Sequence, residues 1–307
     1  MALPISFAPL QGYTDDVYRR LHYQIFGGVA RYYTPFLRME GNGVRTKDVR
    51  DLAPSHNEGV PVVPQIIVKS MAEFDFLLNV VGENGYREVD INMGCPFPMQ
   101  AKHGRGSGLL SHIDVVEDIA KAITDNKEMK FSVKMRLGWE NAEEWRPVLD
   151  ILNAIPLSQI TLHPRLGKQQ YKGEPDMEAF TAFYELCKHP LLYNGDLRTL
   201  SDIQKIEQQY PKLAGVMIGR GLLARPTLAT EYAKGEELSW MERRKLLLYM
   251  HEQLRAHFEG IVNSDAQLHS KLRLFWEYMD TQLEKKVYKK LMKSGNLKNY
   301  LAAVGEV

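Results

Sequence analysis

Along the first 220 residues, short runs of β-branched and other apolar residues alternate with helix-like amphipathic stretches such as Val115 to Thr124, with turn residues between them. Eight of these runs read as strands. Their predicted C-terminal ends fall near Pro9 (ISFAP), Pro35 (VARYYTP), Gln65 (VVPQIIV), Asn92 (REVDIN), Lys134 (KFSVK), His163 (SQITLH), Asn194 (PLLYN) and Gly219 (AGVMIG). Successive ends lie 26, 30, 27, 42, 29, 31 and 25 residues apart, close to one strand, one crossover helix and two loops. Eight such units predict an α/β fold, a (β/α)8 TIM barrel over residues 1–235. A doubly wound sheet competes, but it would favour a glycine-rich fingerprint after the first strand, and APLQGYTDD contains no GxGxxG. From about residue 236 the pattern lengthens into helical periods, WMERRKLLLYMHEQLRAHFEG and then AQLHSKLRLFWEYMDTQLEKKVYKKLMKS, without strand signals. Residues 236–307 are therefore expected to form a small C-terminal all-helical domain.

Composition narrows the class. The 307 residues are 44% hydrophobic and 25% charged, an ordinary globular balance. No run of about 18 apolar residues occurs and the start MALPISFAPLQGYTDD has no signal-peptide pattern, so neither membrane spanning nor secretion is expected. The two cysteines, Cys95 and Cys187, are too few for a disulfide framework and show no paired CxxC spacing. A cytoplasmic protein without a metal site is expected. The formal charge of +1 hides an asymmetry: residues 241–307 carry 12 Lys and Arg against 8 Asp and Glu, the remainder 27 against 30. The cluster Lys285, Lys286, Lys289 and Lys290 fits a solvated helix face as well as a phosphate-backbone footprint.

Polar residues collect at the predicted C-terminal strand ends: Gln65, Asp90 with Asn92, Lys134 with Arg136, His163 with Arg165, and Asn194 with Asp196. In a TIM barrel that face holds the active site. The longest interval follows the fourth strand and carries GCPFPMQAKHGRGSGLL, an elaborated loop. The loops Asn194-Gly195-Asp196 and Gly219-Arg220-Gly221 offer small residues and backbone N–H groups where barrels commonly bind phosphate. Lys134 suits the pyrimidine edge of a flavin, where its charge would stabilise the reduced ring; a buried ion pair with Asp90 is the structural alternative.

These residues resemble the tRNA-dihydrouridine synthase family through APLQGYTD at 8–15, VDINMGCP at 89–96, GRGSGLL at 104–110, VKMRLGW at 133–139, HPR with Tyr171 and Gly173, NGD at 194–196 and MIGRG at 217–221. The resemblance implies an FMN enzyme that uses NADPH to reduce the C5–C6 double bond of uridines in tRNA. It implies that Pro9, Leu10, Gln11, Gln65, Lys134, His163, Asn194, Gly195, Asp196, Gly219 and Arg220 hold FMN, and that Cys95 donates the proton to C5. Asn92, Arg136, Arg165 and Tyr171 would lie near the target base or its backbone. The segment TPFLRME, with Arg38, resembles the bacterial C subtype, which implies a D-loop target. Three positions depart from the family pattern: Leu10 where Met is usual, His163-Pro164-Arg165-Leu166 where many members have HGRT, and Phe97-Pro98-Met99 where a polar residue often follows Cys-Pro.

The chemistry accounts for the residue types. Hydride delivered to C6 leaves a carbanionic C5 that needs a proton, and a thiol with an ordinary pKa of about 8.5 is protonated at neutral pH. Cys95 also fits a small buried apolar residue, while Cys187 in AFTAFYELCKH reads as a helix-interior core position. A stacked uridine must be turned out to reach such a site, so backbone contacts have to compensate. Arg273, Trp276, Tyr278 and the tail lysines offer a basic, aromatic-interleaved surface, although Phe275 and Trp276 fit a helical core equally. The partner expected is tRNA, and the protein a monomer. The alternatives are an FMN-dependent TIM-barrel oxidoreductase acting on a small molecule such as dihydroorotate or an enone, against which the basic tail speaks, and an idle RNA-binding descendant, against which Cys95, Lys134 and His163 speak.

Overall fold

The computed structural model describes residues 2–307. Eight parallel strands form the barrel: β1 (Ile5–Phe7), β2 (Arg31–Tyr33), β3 in two pieces (Val62–Val63 and Gln65–Ile66), β4 (Glu88–Met93), β5 (Lys130–Gly138), β6 (Leu157–Leu166), β7 (Leu191–Tyr193) and β8 (Gly215–Ile218). Pro64 interrupts β3 because it has no N–H to give to a ladder. The first piece pairs with β2 and the second with β4, which closes the ring. A small antiparallel hairpin, Met39–Glu40 with Gly43–Val44, projects after β2.

Six strands end within two residues of the expected positions, but β5 and β6 run four and three residues beyond Lys134 and His163. The polar side chains there do not stop the ladder, because their charge is satisfied inside it. Arg136 pairs in register with His163 and donates to the Leu166 carbonyl at 2.8 Å, while Arg165 is held from behind by Gly173 and Asp196.

Four of the crossover helices begin where a side chain takes up free N–H groups, while Ile113–Asp125 and Trp145–Leu152 have no side-chain cap. Asp15, Ser70 and Asp176 cap the helices Asp16–Ile25, Met71–Glu83 and Met177–Leu186, and Thr199 with Asp202 forms a capping box on Leu200–Gln209. Their apolar faces cover the barrel: Phe74, Leu77 and Val81 from one helix and Val116, Ile119 and Ile123 from the next are almost fully buried. Cys187 is half-buried just past the last residue of Met177–Leu186, with its thiol toward the His189 carbonyl, rather than inside the helix as expected. The helix stops there because Pro190 follows closely and cannot continue it.

Beyond residue 236 lie the helices Trp240–Glu259, Asp265–Arg273, Lys285–Lys293 and Leu297–Val304, and the first of them packs on Asp16–Ile25. Phe275, Trp276 and Tyr300 of this region face inward, whereas Tyr249 is exposed. Trp276 is completely buried and Phe275 nearly so, which decides for the helical core over the RNA-facing surface at both positions. Lys285, Lys286, Lys289 and Lys290 are exposed, and Lys290 pairs with Glu306 at 2.6 Å. Among the described residues no helix is long and apolar enough to cross a membrane.

The helical core carries one polar knot. The Tyr300 hydroxyl accepts from Trp276 Nε1 at 3.0 Å and lies 2.7 Å from His251 Nε2, all three residues being buried. Burial, helped by Arg255, depresses the His251 pKa to about 4, so the ring is neutral. Tyr300→Phe leaves two buried ring nitrogens without a partner and should cost about 1–3 kcal/mol in urea unfolding at pH 7. Because the folded pKa of His251 is depressed, its contribution is complete above pH 6.5 and is lost as the pH falls toward 4. A Tyr300→Phe protein as stable as wild type would show the knot to be solvated.

Candidate active site

The C-terminal strand ends surround a cleft of about 950 Å³, including its open mouth. Pro9, Leu10 and Gln11 contribute after β1, Gln65 from β3, and Asn92 and Cys95 from the end of β4 and its loop. Lys134 and Arg136 project from β5, His163 from β6, and Tyr171 from the loop after β6. Asn194, Gly195 and Asp196 follow β7, and Gly219 and Arg220 follow β8. The closed barrel thus brings together 15 of the 17 residues singled out from sequence.

The two exceptions have physical reasons. Arg165 is 1% exposed and does not reach the cleft; its guanidinium is used up on the Gly173 carbonyl and on Asp196 Oδ2, at 2.6 and 2.5 Å. It ties the Gly173 carbonyl, in the loop that carries Tyr171, to Asp196. Arg38 pairs with Glu40 at 2.7 Å beside the β2 hairpin, outside the cleft. Sequence reasoning missed Pro35, Phe36 and Arg198, which also line the wall. Arg198, two residues past NGD in a loop marked as phosphate-binding, could have been found there; Pro35 and Phe36 carry no polar signal.

A single chain of hydrogen bonds fixes the β4 loop. Ser132 Oγ donates to Asp90 Oδ1 at 2.6 Å and Gln65 Nε2 to Asp90 Oδ2 at 2.7 Å. Gln65 Oε1 accepts from Asn92 Nδ2 at 2.7 Å, and Asn92 Oδ1 accepts from the N–H groups of Gly94 and Cys95 at 3.0 and 2.8 Å. Asp90, Gln65 and Asn92 are all buried. Each oxygen of Asp90 accepts from a neutral donor; among the described residues Lys134 makes no ion pair, although Asp90 and Lys134 favour each other's charged form through space. From the other side Ser107 donates its N–H and hydroxyl to the Cys95 carbonyl at 3.2 and 2.8 Å. Gly106, at φ 59°, allows that approach; a Cβ there would lie 2.6 Å from Cys95 Cβ.

Burial raises the Cys95 thiol above its ordinary range despite the Phe97 N–H and the nearby Arg136 and Lys134. It is an acid at neutral pH. Burial and Arg136 lower Lys134 to about 8, and burial with the surrounding arginines lowers Arg136 to about 10. His163 is pushed well below its usual value by burial and by Arg136, Lys134 and Arg165, and is neutral. Asp196 bridges Arg165 and Arg220; burial raises its pKa, but the two arginines outweigh that and hold it low. Arg220 also stacks 4.2 Å over the Tyr171 ring, with Arg136 at 5.6 Å. Lys134, Arg136, Arg198 and Arg220 line the cleft against one ionised carboxylate, so it attracts anions. No backbone N–H of Gly195, Asp196, Gly219, Arg220 or Gly221 donates within the described residues.

The sequence model of the dihydrouridine synthase (Dus) family matches residues 6–304. The chain belongs to that family. A relative from Aquipseudomonas alcaligenes, named tRNA-dihydrouridine(16) synthase, is 28% identical over 276 residues, covering 82% of this chain and 84% of its own. A probable tRNA-dihydrouridine synthase of Helicobacter pylori (strain J99) is 29% identical over 288 residues, covering 87% of this chain and 82% of its own. Among solved structures, the old yellow enzyme of Trypanosoma cruzi superposes with a TM-score of 0.54 at 9% identity, over 76% of this chain and 89% of that one. The old yellow enzyme homologue of Zymomonas mobilis gives 0.53 at 13%, over 78% and 92%. These two likenesses establish the TIM-barrel fold.

The hydrogen-bond chain in this Dus-family protein has only one consistent direction. Asn92→Asp keeps the acceptor for Cys95 but sets a carboxylate against Gln65 Oε1, and turning Gln65 over would set its carbonyl against Asp90. The new carboxyl should therefore have a raised folded pKa, so stability is retained below its unfolded pKa of about 3.9 and lost as the pH rises through the folded value. The deficit against wild type should reach about 1–3 kcal/mol at pH 8 and shrink at pH 5 in urea titrations. A deficit independent of pH would show that the chain can reverse.

Proposed function

We propose that this enzyme reduces the C5–C6 double bond of uridine in tRNA, with FMN held in the cleft and NADPH as electron donor, and that its target lies in the D-loop. The observation that carries the reading is Cys95, a buried, protonated thiol whose main chain is fixed from both sides at the wall of a cationic cleft. The name of the Aquipseudomonas relative and the TPFLRME segment support the D-loop target.

The donor set fits FMN. The five unused N–H groups of the β7 and β8 loops, with Arg198 and Arg220, suit its phosphate. Gly221 is required for those loops to meet, since a Cβ there would lie 1.9 Å from the Leu197 carbonyl oxygen. Lys134, Gln65, His163 and Asn194 suit the polar edge of the ring, and Pro9, Leu10 and Gln11 line the wall opposite. Bound FMN, reduced by NADPH, would supply hydride to uracil C6.

The chain's own residues do the rest. Cys95 Sγ gives its proton to C5, and the thiolate left behind is stabilised by Lys134 and Arg136 nearby. Tyr171, 45% exposed, offers an aromatic face at the mouth, and Arg136 lies beneath it. Asn92 sets the position of the sulfur by fixing its backbone. Residues 236–307 serve as the tRNA-binding domain of a cytoplasmic monomer, with the exposed lysines on the phosphate backbone.

Cys95→Ala should slow dihydrouridine formation in unmodified tRNA by about 10²–10⁴-fold, the usual contribution of a positioned general acid, while purified protein keeps a stoichiometric flavin absorbance. Cys187→Ala is the control and should affect stability at most. A wild-type rate in Cys95→Ala would assign the proton to another group, and a protein that binds no FMN would end the reading.

The tail makes a separate prediction. Replacing Lys285, Lys286, Lys289 and Lys290 by Gln should weaken tRNA binding and flatten its salt dependence, since fewer counterions are released. Lys290 should contribute least because Glu306 already neutralises it. An unchanged affinity and salt slope would leave these lysines as a solvated face.

A further inference from the structure

The loop after β4 carries a feature that uridine reduction at the cleft floor does not use. Phe97 and Met99, next along the chain to Cys95 and Pro96 of the cleft wall, are 54% and 57% exposed. Lys102 and His103 beside them are exposed too, and no acidic residue occurs between Asp90 and Asp114. The loop is pinned: Arg105 forms a mostly buried ion pair with Glu73, Ser107 holds Cys95, and the N–H groups of Gln100 and Ala101 bond to the Phe97 carbonyl. Two large apolar side chains are thus held out into water on a fixed, cationic rim beside the proton donor. Their exposure contributes nothing to the core.

We propose that Phe97 and Met99 are an apolar wedge that enters the base stack of the tRNA beside the target uridine and fills the place the extruded base leaves, with Lys102 on an adjacent phosphate. The inference rests on the function proposed above. Turning a base out forfeits its stacking, and an apolar side chain inserted at the gap restores contact for the bases left behind. A basic, acid-free rim suits a phosphate strand, and a pinned loop loses little entropy when it inserts.

The test uses flavin-loaded enzyme, the Phe97→Ala/Met99→Ala double variant, Phe97→Trp, and Leu186→Ala as a remote exposed control. Single-turnover reduction of the target uridine is measured in folded tRNA and in the same tRNA with abasic sites flanking the uridine, where no stack needs filling. The double variant should lose about 10- to 100-fold on intact tRNA, the usual worth of one or two stacking contacts, and no more than about threefold on the abasic substrate. Phe97→Trp should restore most of the rate. With 2-aminopurine next to the uridine, wild type should raise fluorescence on binding and the double variant should not. Equal losses on both substrates, or no loss on intact tRNA, overturn the wedge alone and leave the loop for another partner. A wild-type holoenzyme inert on both tRNAs overturns the functional reading, and the wedge with it.

Discussion

The barrel closes through residues 62–66, which bond to β2 with their first half and to β4 with their second, around a proline that has no N–H to give and only accepts, from the Asp90 N–H of β4 at 2.8 Å. Because Pro64 gives up its own donor, neighbours take over the junction. Thr34 Oγ1 accepts from the Gln65 N–H at 3.0 Å, and the Leu37 N–H donates to the Gln65 carbonyl at 2.8 Å. Gln65 is therefore fixed by backbone bonds before its side chain takes part in anything. Its amide then has one orientation, with Asp90 on one side and Asn92 on the other, and Asn92 sets the backbone of Cys95. Ring closure and placement of the Cys95 thiol are one hydrogen-bonded system.

That system is anionic at its buried end and the rest of the cleft is cationic, and the separation has an electrostatic cause. Burial raises the Asp90 pKa to about 6, while Ser132 and Gln65 oppose the rise by donating to it. Had Lys134 been drawn into an ion pair there, the cleft would have lost the cation nearest its floor. Lys134 is not ion-paired with Asp90, and burial with like-charge repulsion from Arg136 lowers its pKa against the opposing pull of Asp90. Asp196 is the carboxylate at the rim, and it joins the buried Arg165 to Arg220 of the cleft wall. The lining keeps an excess of positive charge that favours an anion.

The fold was legible because the strand period survives even where strands are only three residues long, as in β1, β2 and β7. The positions of β5 and β6 ends were not, because Arg136 and Arg165 look like strand terminators until the acceptors that bury them are known. The same blindness placed Arg165 at the cleft: sequence shows a cation at a strand end but not which way its guanidinium points. The position of Cys95, Lys134 and the two glycine loops on the cleft wall was readable from motif and register alone. Trp276 was ambiguous for a different reason. Helical spacing places aromatic residues every turn whether they meet RNA or a neighbouring helix, and only the contact with Tyr300 and His251 decides.

The tail and the cleft are not independent bodies in this chain. Tyr13, in the loop after β1 that carries Leu10 and Gln11, donates its hydroxyl to Glu277 at 2.9 Å and packs its ring edge-on against Tyr278 at 5.2 Å. Tyr288 in turn donates to the Glu277 carbonyl at 2.8 Å, on the helix that bears Lys285 to Lys290. A strand of tRNA seated on those lysines would thus be registered to the cleft through two tyrosines and one glutamate rather than through a flexible linker. Base extrusion needs such a fixed distance, since the nucleotide must arrive within hydrogen-bond reach of Cys95 while its neighbours stay bound. On the proposed function, the wedge loop and the tail would hold the RNA from opposite sides of that requirement. One is tied to Cys95 through the chain, and the other is tied to the β1 loop through Tyr13.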